Sequence, residues 1–236
     1  MKVAIMQPYF MPYLGYFALI KHVDQFILFD TAQFIRHGWI ERNRVLKLDN
    51  DPMYIKVPLV KHKRDTSISL IKINNDLDWK KTIYAQLVHY KKRAPYYNKV
   101  IELLEDIFEE EFDDITRLNY VILNKITKYL GIITPIKIWS EMDIAIDEVN
   151  APDEWALNIC KTIGADKYYN SIGGKSFFDA HKYQNGGIDL KFLEITPIPY
   201  KQFDTQFVPF LSILDVLMFC NAKEVIELLN EVEILE

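Results

Sequence analysis

Four places in the sequence combine residue types that can grip an anion or shift a proton. In the opening MKVAIMQPYFMPYLGYFALIKHVDQFILFDTAQF, Gln7 and Asp30 each close an apolar run. The amide of Gln7 can both donate and accept hydrogen bonds. The carboxylate of Asp30 suits sugar hydroxyls or general-base work, or simply caps the turn that follows. Tyr16 can donate to a sugar or phosphoryl oxygen. Gly15 beside it lets a ligand or a neighbouring strand approach closely, because it has no Cβ. In RHGWIERNRVL, Arg36, Arg42 and Arg44 stand close together, with Asn43 between the last two. Guanidinium forks fit diphosphate or carboxylate, and arginines are equally at ease on a solvated surface. If the segment is extended, Arg42 and Arg44 share a face; if it is helical from Trp39, they diverge. In YYNSIGGKSFFD, Ser171, Gly173, Gly174 and Lys175 form a loop whose backbone N–H groups can cradle phosphate, with the lysine adding a charge. Its spacing is neither GxxxxGK[ST] nor GxGxxG. Asp215 lies inside an apolar helical pattern, which requires a polar partner, a cleft or an exposed position.

Composition removes several classes of function. Half of the 236 residues are hydrophobic, enough for a sizeable core. A net charge of -5, with acids and bases interspersed, points away from nucleic-acid binding driven by bulk charge. Cys160 and Cys220 form no CxxC pair, so a reducing compartment is expected. No apolar run approaches the length of a membrane span and no signal peptide is evident, so a cytoplasmic protein without an integral membrane segment is expected. The histidines His22, His37, His62, His89 and His181 are scattered, and no pair has metal-ligand spacing. No motif names a cofactor. The basic run Lys61-His62-Lys63-Arg64 reads either as the tip of a phosphate-closing flap or as a turn charged for solubility.

The elements that must position these residues follow from periodicity. KVAIM is a short, wholly apolar strand ended by Pro8, which cannot donate to a sheet ladder. Pro12 suits the first turn of a helix. From Leu14 the apolar residues recur at helical spacing, and Gln25 to Phe29 form a second buried strand closed by Asp30. That connection is about the shortest that can join parallel strands. Residues Gln7 to Gly15 therefore lie at the carboxyl end of a parallel strand beside a helix N-terminus, where open α/β sheets bind ligands. Helices are expected over 77–93, 97–110 and 114–130, with Asp78 as a cap and Gly131 as a C-cap. Further strands are expected near 136–139 and 167–170 and in IDLKFLEI. YIKVPLV and ISLIKI read as extended, and Ser212 as the cap of LDVLMF. The expected fold is α/β, with a Rossmann-like, largely parallel sheet in which residues 2–7 and 25–30 are neighbours. It forms one compact unit over 1–236, with 77–130 a mainly helical subdomain. An α+β fold with a mixed sheet is the alternative.

Taken together, MQPYFMPYLGYFALIKHVDQFILFDTAQF, GWIERNRV, YYNSIGGKSFFD and FLSILDVL resemble the recurrent blocks of the WbqC-like family, over nearly the whole chain. The matching positions are Gln7, Pro8, Pro12, Gly15, Tyr16, Asp30, Trp39, Asn43, Arg44, Ser171, Gly173, Gly174, Ser212 and Asp215. The resemblance implies a cytoplasmic role on sugar precursors, because members are associated with bacterial surface-polysaccharide and O-antigen assembly. A fainter resemblance links PYLGY to the HxGH segment of nucleotidylyl transferases. Both histidines of that pattern are replaced here, which argues against ordinary adenylyl transfer and leaves the architecture.

The resulting expectation is a transferase that modifies an amino-sugar nucleotide, by acyl or aminoacyl amide formation, in surface-polysaccharide biosynthesis. Asp30, Gln7 and Tyr16 are its candidate catalytic residues. Gly15, Asn43, Arg44, Ser171, Gly173, Gly174, Lys175 and Asp215 are its candidates for holding a nucleotide sugar or other anionic small molecule. The alternatives are a nucleotidylyl transferase or adenylate-forming enzyme, and a sugar-nucleotide binding protein without turnover.

Overall fold

The computed structural model describes residues 1–203 and 206–236. Strand β1 (Lys2–Met6) is followed by helix α1 (Leu14–Lys21) and strand β2 (Gln25–Leu28). β1 and β2 pair in parallel, Val3 opposite Gln25 and Met6 opposite Leu28. An antiparallel ribbon of β3 (Arg42–Leu46) and β4 (Pro52–Lys56) comes next. Helices α2 (Trp79–Leu87), α3 (Tyr97–Phe108) and α4 (Ile115–Leu130) follow. The chain then returns to the sheet with β5 (Ile136–Ile138), helix α5 (Glu154–Thr162), β6 (Lys167–Ser171), helix α6 (Ala180–Asn185) and β7 (Asp189–Ile195). Helices α7 (Ile213–Phe219) and α8 (Ala222–Leu228) precede the last strand, β8 (Val232–Leu235).

The sheet runs β5-β2-β1-β6-β7-β8, with every pair parallel except β7–β8. Counting only its own strands, that is the order 3-2-1-4-5-6 of a doubly wound, Rossmann-like sheet. Both faces are covered. Ala4, Phe26 and Leu28 point into a core shared with α1, α3, α4 and α7, while Val3, Ile5 and Ile27 meet Ile159, Cys160 and Tyr183 from α5 and α6. Two buried faces explain why KVAIM reads as an unbroken apolar run rather than an alternating one.

Local signals set the helix boundaries. The Asp78 and Asp114 side chains accept from Lys81 N and Arg117 N, and Gly131 adopts a left-handed φ of 73° at the end of α4. The α2 region leaves α-geometry after Leu87 and finishes as a 3₁₀ turn over Val88–Lys92.

Two expectations need correction, and one open alternative is resolved. ISLIKI is not a strand: Ile68–Leu70 form a 3₁₀ turn, and Lys72 and Ile73 make only isolated bridges. Its apolar pattern is satisfied instead by Ile68 and Ile71, buried one 3₁₀ turn apart, and by Ile73, buried two residues on. Pro12 precedes α1 rather than opening it, since Tyr13 occupies the cap position. The RNRV stretch is extended, which resolves the two readings of the arginine segment.

Candidate functional site

The connection from β5 to β6 carries the chain across β1, so strand direction of travel reverses between β1 and β6. Ligands of open α/β sheets sit at that switch point, beyond the carboxyl ends of the strands. A cleft of about 390 Å³ opens there, lined by Met6 at the end of β1 and by Ser171, Ile172 and Gly173 at the end of β6. Gly15 and Tyr16 from the start of α1 form its floor, and Asn43 and Arg44 from β3 form its far wall. The volume falls within the ~300–1,000 Å³ typical of small-molecule sites.

Arg44 is the only charged group among the described lining residues. Its guanidinium lies 5.5 Å from the centre of the Trp39 ring, and Nη2 reaches the Phe210 carbonyl at 3.5 Å, the outer limit of a hydrogen bond. Nε is out of water and has no partner among the described residues. A buried guanidinium N–H without an acceptor is costly, and the rest of the fork is the one cationic donor set among the described lining residues. Asn43 holds the strand in place: its side chain donates to Phe10 O at 3.1 Å and accepts from Arg44 N at 2.8 Å.

The rest of the lining is largely aromatic. Tyr9, Tyr13, Tyr16, Trp39 and Phe210 all contribute. Tyr13 meets Phe210 edge-on at 6.0 Å, and Tyr9 meets Tyr16 at 5.5 Å. Such rings offer flat faces to a base or a sugar. Tyr16 Oη donates to Gln7 O at 2.8 Å, and burial raises its pKa well above the ordinary tyrosine value. Desolvation also raises Tyr9 and Tyr13. All three therefore stay protonated near neutral pH. Gly15 is small for a visible reason: a Cβ there would sit 2.4 Å from the Tyr13 ring, which folds back over the helix start.

The corner is strained. Met11 and Phe210 adopt left-handed φ of 41° and 56°, where side-chain-bearing residues rarely sit. Ser212 locks Met11, with Oγ donating to Met11 O at 2.7 Å while its backbone N donates to Arg44 O at 2.8 Å. Ile213 N adds a bond to Pro12 O at 2.9 Å. One turn before α7 thus ties the β1–α1 corner to β3.

Of the residues singled out from sequence, Gly15, Tyr16, Asn43, Arg44, Ser171 and Gly173 converge on this cleft. Gln7 touches it through its carbonyl bond to Tyr16. Gly174 sits behind the loop, where a Cβ would meet Asn170 Oδ1 at 2.9 Å. The loop itself is a 3₁₀ turn over Ile172–Phe177, and it carries Lys175 away: its Nζ bonds Glu236 O and lies over the Phe192 ring. Asp30 is buried, with one oxygen accepting from Ser140 N at 3.0 Å and the other from Ser140 Oγ at 2.6 Å. Asp215 is wholly buried and accepts from Tyr200 Oη at 2.6 Å, Tyr90 Oη at 2.5 Å and Leu46 N at 3.4 Å. Neither carboxylate lines the cleft. Tyr9, Tyr13 and Phe210 do so without having been singled out. Their signal is a cluster of aromatics beside prolines, in QPYFMPY and FVPF.

No carboxylate, histidine or cysteine belongs to the described lining. Burial pushes Cys160 and Cys220 up to about 12, so neither is a thiolate at neutral pH. No group of His, Cys, Asp or Glu among the described residues has metal-binding geometry.

A model of the WbqC-like protein family matches residues 7–227. The chain belongs to this family. The protein called "Uncharacterized protein Rv1507c" of Mycobacterium tuberculosis is 30% identical over 225 residues, covering 94% of this chain and 95% of that protein. No solved structure matches. The matched span includes every described lining residue of the cleft except Met6, from the β1–α1 corner through β3 and β6 to Phe210. No helix of the described WbqC-like chain is long and apolar enough to cross a membrane.

Proposed function

We propose that this protein is a transferase of surface-polysaccharide biosynthesis that binds an amino-sugar nucleotide in the switch-point cleft and forms an amide on its amine. The WbqC-like family is linked to polysaccharide and O-antigen biosynthesis in general. The observation that carries the reading is Arg44, whose buried, unpartnered Nε stands in an aromatic cleft at the end of β1. A diphosphate supplies the missing acceptor, and the rings around it supply stacking area for the base or sugar. In the reaction, the sugar amine attacks an activated acyl carbonyl. A C–N bond forms, the bond to the leaving group breaks, and the amine proton departs with the leaving group or to solvent. The cleft contributes chiefly by holding the amine against the donor. The enzyme works in the cytoplasm, where nucleotide sugars are made.

A second reading is a sugar-nucleotide binding protein without turnover. It is favoured by the absence of any described carboxylate or histidine in the lining, since no side chain there is placed to take the amine's proton. One experiment separates the two. Purified protein is incubated with nucleotide sugars, acyl donors, amino acids, ATP and Mg²⁺, and product masses are followed beside a calorimetric titration. The proposal expects micromolar binding and an amide-sized mass gain without nucleotide cleavage. Binding with no new mass selects the binding protein. Release of AMP or pyrophosphate selects nucleotidylyl transfer. No binding of any nucleotide sugar overturns both main readings.

A further inference from the structure

The basic run at 61–64 lies away from the cleft lining, so the cleft gives it no role. Its surroundings do. Backbone bonds lace three segments into one surface: Phe34 N to Thr66 O at 2.9 Å, Ile68 N to Ala32 O at 2.9 Å, and Val60 N to Lys72 O at 2.9 Å. Gln33 Nε2 donates to Arg64 O at 2.8 Å, and the Phe34 and His62 rings meet at 4.9 Å. Beneath this lacing Phe34, Ile68, Ile71 and Ile73 are buried. Above it three aliphatic side chains stand in water: Leu70 is 67% exposed, Ile35 57% and Val60 46%.

Exposed Arg36, Lys61, Lys63 and Arg64 accompany them, with Asp65 the one exposed acid in the 61–66 loop. The ion pairs among the described residues use other cations, so these four charges have no ion-pair partner among the described residues. The neighbouring acids Asp113, whose carbonyl takes Ile73 N, and Asp114, which pairs with Lys72, leave these cations in excess, on a chain whose net charge is -5. Isolated exposed aliphatics and isolated charged loops are ordinary, but here both occur on the same laced segments.

We infer that this face docks on the surface of an anionic bilayer, with Leu70, Ile35 and Val60 entering the headgroup region and the four cations resting on the lipid phosphates. Aliphatic tips beside basic residues are the composition of interfacial membrane binding. A protein partner is a poorer fit, because lysine is depleted and aromatics are enriched in protein interfaces. The docked face adjoins the cleft: the turn from Ile35, closed by Gly38 N to Ile35 O at 3.3 Å, leads straight to Trp39 on the cleft lining. Docking therefore holds the mouth of the cleft beside the membrane, whichever ligand it takes.

The test is cosedimentation of the full chain with vesicles of phosphatidylcholine and phosphatidylglycerol at 3:1, against phosphatidylcholine alone, in 50 and 500 mM NaCl. The expected result is binding to the anionic vesicles at low salt, at least tenfold weaker on the neutral vesicles and at high salt. The triple variant Lys61→Glu, Lys63→Glu, Arg64→Glu lowers the partition coefficient about a hundredfold. The double variant Ile35→Ser, Leu70→Ser keeps every charge and lowers it about tenfold. Reversing another basic run, Lys91→Glu, Lys92→Glu, Arg93→Glu, leaves it within about threefold. Circular dichroism and thermal midpoints matching the parent protein establish that each variant is folded. Equal losses from the two triple variants, or vesicle binding no better than background, overturn the inference. Retention on heparin without vesicle binding also overturns it, in favour of a soluble polyanion.

Discussion

The cleft and the knot around Asp215 are built from similar residues and end in opposite states. Both tie β3 to the chain around α7, and both bring tyrosines against a charged side chain. At the knot the carboxylate receives Tyr90, Tyr200 and the Leu46 amide, and is itself wholly buried. At the cleft the guanidinium keeps an unpartnered Nε between Trp39 and Phe210, beside backbone held in left-handed strain. A buried polar group with its bonding capacity filled is a rivet. One with capacity left over, in an open concavity, is a receptor. The same distinction separates Asp30, filled by Ser140, from Arg44.

The sharpest way to break this contrast is to truncate both charges. Asp215→Ala strands two tyrosine hydroxyls, while Leu46 N keeps its bond to Tyr90 Oη at 2.9 Å, and should lower stability by ~3–5 kcal/mol in urea unfolding. Arg44→Ala should change stability by no more than about 0.5 kcal/mol, yet weaken sugar-nucleotide binding by about 10–100-fold in calorimetry. Arg44→Lys should recover little of it, because a point charge cannot reproduce a fork lying over Trp39. If Arg44→Ala destabilises the protein as much as Asp215→Ala does, the cleft is a rivet too.

Ser212→Ala tests the turn shared by the two regions. Losing the bond to Met11 O and the cap on Leu214 N should cost about 1–2 kcal/mol and also weaken binding, since the strained Met11 then loses its tie to the turn while the backbone bond to Arg44 O remains.

pH sharpens the contrast further. Desolvation raises the pKa of Asp215, against the pull of its tyrosine donors. A carboxyl raised on folding contributes stability at low pH and loses it as pH climbs through its folded value. Asp215→Asn has no such titration. Relative to it, the parent protein should be most stable near pH 4 and lose ground toward pH 7, as read from urea midpoints at both. A constant difference would mean that Asp215 titrates normally. The smallest effect belongs to Gly15→Ala. The new methyl must displace the Tyr13 ring, a mobile neighbour, so stability should fall by less than about 1 kcal/mol while ligand affinity shifts severalfold.

The centre of the sheet was legible because β1 and β2 are continuous apolar runs, and α4 because Asp114 and Gly131 mark its ends. The ribbon strand β3 was ambiguous from its own residues, because its partner β4 is what fixes it as extended. ISLIKI misled because a 3₁₀ turn buries residues three apart, which overlaps with strand alternation in so short a stretch. β8 went unread: it lies on the outer edge, and its pairing with β7 is a long-range fact. At the site, residue types drew attention to Arg44, Asp30, Lys175 and Asp215 alike. Their difference is whether a partner such as Ser140, Glu236 or Tyr200 folds against them, and those partners lie 110, 61 and 15 positions away. Phe210 reaches the cleft by a left-handed bend that no propensity signals in a phenylalanine.

The position of β1 at the centre of the sheet also sets a timetable for the newborn chain. Val3 pairs with Gln25 on one side but with Tyr168 on the other. The first partner follows almost at once, whereas the second is made only after the ribbon, the three helices and β5. At ~5–20 residues per second of synthesis, one edge of the innermost strand goes unpaired for on the order of ten seconds. Over that interval its N–H and C=O groups and its apolar side chains form an open template for mispairing. The protein should therefore depend on chaperones most while its N-terminal half has left the ribosome and β6 has not, and a nascent chain arrested before Lys167 should be the most aggregation-prone length.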